Sequence, residues 1–151
     1  MPEGDVLVLA ATRTSVEDRL VRAWVDQEVR PHHTRVQILT LPAATAPSSA
    51  YAALGERLTD SGTLLLPAHV VWRPGERDGA RRANLLDLIR GANPYRPNAF
   101  AQRQIADTDP DRAPVISGVP ATVGFLRQRY AEGHEGATPT AEELGRFVAR
   151  R

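Results

Sequence analysis

Val6-Leu7-Val8-Leu9 is an unbroken apolar run, and it restricts the possible folds more than any other feature of the chain. In an extended strand successive side chains point to opposite faces, so four apolar residues in a row need cover on both sides. A parallel sheet sandwiched between helices supplies that cover. The next segment agrees with this arrangement. Thr14 and Glu17 stand at capping-box spacing, and Val16, Leu20 and Trp24 recur at i, i+4 and i+8, which predicts a helix ending near Arg30-Pro31.

The alternation continues along the chain. A second strand is expected over 35–41, carrying Val36, Ile38, Leu39 and Leu41. Beyond the small-residue loop from Pro42 to Pro47, Ser48 or Ser49 is suited to cap a helix with Tyr51, Leu54 and Leu58 on one face. A third strand is expected over 68–72, with 64–66 leading into it and Pro74-Gly75 ending it. After a charged loop, a short helix with Leu85, Leu86 and Ile89 should stop at Gly91. Asn93-Pro94-Tyr95-Arg96-Pro97 must be a rigid extended connection. Residues 98–106 read as helix, 114–117 as a fourth strand, and 122–131 as an amphipathic helix with Val123, Leu126 and Tyr130. The expected class is α/β: about four strands in a mainly parallel sheet flanked by helices. With 151 residues, one domain with its own core is expected.

Near the C-terminus, Thr140 and Glu143 again have capping-box spacing, and Leu144, Phe147 and Val148 form an apolar stripe. A helix of about 12 residues is marginal alone and needs a partner surface. Two outcomes stay open: the stripe docks back on the sheet, or the helix leads on toward a further part of a longer protein.

Much chemistry is excluded. There is no cysteine, hence no disulfide and no thiolate metal site. No apolar run approaches the ~20 residues of a membrane span. The turn after the first strand, Ala10-Ala11-Thr12-Arg13-Thr14-Ser15, has no glycine, so neither a dinucleotide fingerprint nor a P-loop is present. Asp107-x-Asp109-x-Asp111 has the opening spacing of a calcium loop, but Arg112 and Gly118 stand where that loop needs glycine and glutamate. Four histidines, His32, His33, His69 and His134, lack the spacing of a zinc site. No metal, no cofactor and no complete catalytic constellation are expected.

All 19 basic residues are arginine, and they are unevenly spread. Residues 73–103 hold seven arginines against three acids, between two mildly acidic segments. Arg73, Arg77, Arg81, Arg82, Arg96 and Arg103 are therefore the candidates for contact with an anion or a membrane surface, because guanidinium forks match phosphate oxygens. The near-neutral total, +1, and few aromatics argue against a nucleic-acid partner. In open parallel sheets, ligands sit at the carboxyl ends of the strands. Arg13 and Arg73 come directly after two expected strands and would face such a crevice.

Several segments also carry a family resemblance. Asp5-Val-Leu-Val-Leu-Ala-Ala-Thr is followed by Val70-Val71-Trp72-Arg73-Pro74 and then by Asn93-Pro94-Tyr95-Arg96-Pro97. Gln102-Arg103-Gln104-Ile105, Asp109-Pro110-Asp111-Arg112 and Gly118-Val119-Pro120-Ala121-Thr122-Val123 complete the series. In this order they resemble the N-terminal region of actinobacterial, particularly mycobacterial, glycerol-3-phosphate 1-O-acyltransferases. The resemblance implies a membrane-associated enzyme, peripheral on the cytoplasmic side, that moves an acyl group from acyl-CoA or acyl-carrier protein to sn-glycerol 3-phosphate in phospholipid synthesis. It also implies a His-x4-Asp motif as the catalytic base and its orienter. Five residues after the four histidines stand Gln37, Ile38, Pro74 and Pro139, so no catalytic position transfers to this chain.

The implied organisation is an accessory domain over 1–131, a flexible connection over 132–139, and over 140–151 the start of a helix leading to a catalytic domain not present here. The implied partners are that catalytic domain, an anionic membrane surface and a second copy of the chain. Such a fragment would itself be soluble and inactive alone. The alternative is a free-standing α/β module that binds a phosphorylated ligand through its arginine-rich face.

Overall fold

The computed structural model describes residues 5–77, 79–81 and 93–150. The expected helix with Leu85, Leu86 and Ile89 lies outside the described residues, as does Arg82.

Five short strands form one open sheet. β1 (Val6–Ala10) is its axis, with β2 (Val36–Thr40) and β3 (Leu64–Val70) parallel to it on either side. β6 (Val115–Ser117) and β7 (Ala121–Thr122) both pair antiparallel with the far side of β3. The order is β2-β1-β3-β6, with β7 alongside the start of β3. The α/β class and mainly parallel sheet stand as expected, with one more strand.

All five β1 residues are buried, as the apolar run requires. Val6, Val8 and Ala10 pack with Val21, Val25 and Val29 on one face. Leu7 and Leu9 pack on the other with Leu54, Leu58, Leu65, Val123, Leu144 and Val148. The first helix, α1 (Ser15–Trp24), thus covers one face. The opposite face is covered by α2 (Ser48–Glu56) and by two C-terminal helices, α4 (Val123–Gly133) and α5 (Ala141–Ala149). The chain runs from β1 through α1 to β2, then through α2 across to β3, placing its crossovers on opposite faces. The sheet is doubly wound, and its topological switch point lies between β1 and β3.

Three local expectations are corrected. The stripe of α1 is broader than Val16, Leu20 and Trp24 suggest: Val16 is buried and Leu20 and Trp24 are half-buried, while Val21, Val25 and Val29 pack against the sheet beside them. The helix widens into a π-turn over Val25–Val29 before a 3-10 turn over Arg30–His32. The second helix begins after Pro47, and neither Ser48 nor Ser49 caps it, since both already lie in its first turn.

The third correction concerns β3, which is continuous through Pro67 rather than starting at Ala68. A proline removes a ladder donor, but here the side of β3 that it faces meets a gap. β7 pairs with Leu64 and Leu65, β6 pairs with Ala68 to Val70, and Gly118 N–H donates to the Pro67 carbonyl across the break (2.9 Å).

The C-terminal stripe is covered from within the chain. Thr140 and Glu143 make the full capping box, and Leu144 and Val148 are buried against Leu7, Leu9 and Leu54. Contact with α2 is made at backbone distance through Gly55 and Gly145. A Cβ on Gly55 would stand 1.8 Å from the Ala141 carbonyl oxygen. Among the described residues, no helix is long and apolar enough to cross a membrane.

Candidate functional site

The two strand ends that flank the switch point open into a crevice of about 560 Å³. Its walls come from the loop after β1, the segment after β3, the connection 93–98, and the start of α3 (Ala99–Thr108). α3 is held over the carboxyl end of the sheet by a small apolar cluster of Val16, Trp72, Ile105 and Ala113. It is also tied to α1 by the Arg19–Asp107 ion pair (3.2 Å).

The buried polar network beneath the crevice is built from the α1 cap outward. Thr14 takes the N-cap position, its hydroxyl oxygen accepting the Glu17 N–H (3.2 Å) and donating to Gln102 Oε1 (2.5 Å). Gln102, only 5% exposed, donates through Nε2 to the Pro97 carbonyl (3.0 Å) and so fixes the connection above α3. Glu17 is 7% exposed, and a buried carboxylate is tolerated only when its oxygens are paired. One oxygen accepts from Trp72 Nε1 (2.9 Å) and the other from the Arg13 backbone N–H (2.7 Å). Its charge also sits at the positive end of α1.

With Thr14, Gln102 and Glu17 committed to one another, the groups left for a ligand are Arg13, His69, Tyr95 and Arg96. All four are exposed, and neither Arg13 nor Arg96 has an ion-pair partner among the described residues. Two guanidinium groups without an acidic partner among the described residues therefore line the crevice, with the hydrogen-bonded Glu17 carboxylate buried beside them. Among the described residues, no nucleophile in the crevice is paired with a base. Among the described residues, no group of acids and histidines is arranged to hold a metal ion.

Arg96 lines the crevice. Arg73 is exposed but does not line it, its backbone exchanging hydrogen bonds with Arg112: its N–H donates to the Arg112 carbonyl (2.8 Å) and its carbonyl accepts from Arg112 Nε (3.0 Å). Arg103 is exposed on α3 outside the crevice. Arg77 and Arg81 lie on a separate hairpin of β4 (Glu76–Arg77) and β5 (Ala80–Arg81).

The loop arginine after β1 does reach the site as expected, and the one after β3 does not. Glu17, Trp72 and Gln102 had no functional signal in the sequence beyond the cap spacing of Thr14 and Glu17, because their roles depend on meetings between segments 55 and 88 residues apart. Asp107 to Asp111 hold no cation-binding geometry. Asp107 pairs with Arg19, and Asp109 closes the 3-10 turn over Pro110–Arg112.

A second cleft, about 410 Å³, lies on the other side of the 93–98 connection and shares Arg96, Pro97 and Asn98 with the first. No family model matches the chain, and no solved structure matches it.

Proposed function

We propose that this domain binds a phosphorylated small molecule in the crevice between the ends of β1 and β3, and that it is not a catalyst by itself. The observation that carries this reading is the convergence of Arg13 and Arg96, both without acidic partners among the described residues, at the switch point of a doubly wound sheet. Open α/β sheets hold ligands at that place, and unpaired arginines recognise phosphate oxygens in bidentate fashion.

A second reading sets this activity in a larger protein: the domain is the N-terminal accessory part of a glycerol-3-phosphate acyltransferase. It is favoured by where the resembling segments fall. Ala11, Val70, Trp72, Tyr95, Arg96, Pro97 and Gln102, from four of those segments, all line the crevice. The accessory role and the ligand-binding role are compatible.

Thermal unfolding of the chain with millimolar inorganic phosphate, sn-glycerol 3-phosphate or ribose 5-phosphate tests the first reading. A bound ligand raises the unfolding temperature by mass action. Arg13→Ala and Arg96→Ala should each remove that rise. An unfolding temperature that none of the three compounds moves overturns the proposal. The accessory reading expects no acyl transfer to glycerol 3-phosphate by this chain, and measurable turnover would refute it.

A further inference from the structure

We infer that the phosphorylated ligand is a nucleoside monophosphate, its phosphate on Arg13 and Arg96 and its base stacked on Tyr95. This rests on the crevice being a phosphate site and adds the class of ligand.

Tyr95 carries the inference. It lines the crevice while remaining 56% exposed. It has no ring partner and no hydrogen bond to its hydroxyl among the described residues. A large aromatic side chain on a mobile loop would mean little. This one is presented by a fixed turn, in which Asn93 Oδ1 accepts the Tyr95 N–H (2.9 Å) and the Asn93 carbonyl accepts the Arg96 N–H (2.9 Å). Pro94 and Pro97 limit the backbone on either side. Gln102 holds the Pro97 carbonyl from below. A preorganised aromatic face next to a guanidinium is the combination that stacks a nucleobase. A bare sugar phosphate would leave that face uncovered.

Charge sets the number of phosphates. Among the described residues, Arg13 and Arg96 are the arginines lining the crevice and neither has an acidic partner, and the buried Glu17 carboxylate lies beside them. Two guanidinium groups balance one phosphate dianion. A triphosphate would bring further negative charge toward Glu17 with no additional arginine among the described residues lining the crevice to meet it. The volume, about 560 Å³, is in the usual range for small-molecule sites.

Calorimetric titration of the full chain with AMP, UMP, ATP and ribose 5-phosphate, on the natural protein and on Tyr95→Ala, Tyr95→Phe and Arg13→Ala, tests this. AMP and UMP should both bind at least about tenfold more tightly than ribose 5-phosphate, since base stacking is tolerant of base identity. Tyr95→Ala should abolish that advantage, bringing AMP and UMP affinities down to that of ribose 5-phosphate. Tyr95→Phe should retain it, and Arg13→Ala should weaken all four compounds. ATP should bind no better than AMP. Equal binding of AMP and ribose 5-phosphate, or an AMP affinity indifferent to Tyr95→Ala, overturns the inference while leaving the phosphate site standing. Absence of binding by all four compounds overturns both.

Discussion

Gly145 of α5 faces Gly55 of α2 so closely that a Cβ on Gly145 would stand 3.2 Å from the Gly55 nitrogen and 1.9 Å from the Tyr51 carbonyl oxygen. Both obstacles are backbone atoms and cannot rotate away. The two glycines let the helices touch, and that contact seats Leu144 and Val148 on the sheet. Gly145→Ala and Gly55→Ala should each cost about 1–3 kcal/mol or more, the penalty for overpacking a close-packed contact. Gly133→Ala is the control, because nothing lies within 4 Å of its added methyl. Urea unfolding of the three variants checks this, and a silent Gly145→Ala would mean that the helices do not cross here.

Leu144 is 1% exposed and belongs to the same core as Leu7, Leu9 and Leu65. Leu144→Ala should therefore destabilise the whole domain by about 2–5 kcal/mol, the range for deleting a buried leucine. Loss of signal from the sheet and from α5 should coincide in denaturant. Separate transitions would show that α5 is a detachable appendage.

The Trp72–Glu17 hydrogen bond is buried and joins α1 to the segment after β3. Trp72→Phe keeps an aromatic ring but removes the indole N–H and part of the ring volume, leaving a buried carboxylate oxygen without its donor, at a cost of about 1–3 kcal/mol or more. Replacing both partners, Trp72→Phe with Glu17→Gln, should cost less than the two single changes added together. Additive losses in equilibrium unfolding would show that the bond contributes nothing.

Acid should loosen α5. The Glu143 carboxylate accepts from the Thr140 N–H (2.8 Å) and hydroxyl (3.0 Å), and these bonds hold its pKa below the ordinary carboxylate value. Glu142 is lowered in the same direction, chiefly by its hydrogen bond with Arg146 (2.9 Å). A lowered folded-state pKa contributes stability that is complete above the unfolded value, about 4.3. That stability is lost as pH falls through the lower folded value. Glu143→Gln should flatten the fall in unfolding midpoint below about pH 5 relative to the natural chain. An unaltered acid limb would exclude this carboxylate as a contributor.

Tyr130 has the opposite sign. Burial and the neighbouring Glu143 push its phenol pKa up, so stability present below about pH 10 should decline as pH rises through the higher folded value. Ultraviolet titration of phenolate absorbance in the native protein against Tyr130→Phe isolates this group.

Local pattern determined a great deal of this protein. The run Val6 to Leu9 required cover on both faces, and the fold gives it. The cap spacings at Thr14 and at Thr140 with Glu143, and the face of Tyr51 and Leu54, arise from the geometry of single helices, which neighbours along the chain suffice to specify, while Leu58 is buried just past the end of α2. Tertiary structure alone decided the rest, because it turns on pairs distant in sequence. Pro67 lies inside a strand only because β6 and β7 leave a gap at that point. Val21, Val25 and Val29 join the buried stripe of α1 and of the π-turn that follows it only once the sheet is in place. Arg13 and Arg96 line one crevice because the chain crosses from β2 over β1 to β3 and brings 93–98 back over the strand ends, and Arg73 does not line it. Side-chain chemistry can be read one residue at a time, but a site is a set of distances that exist only after the sheet has chosen its order.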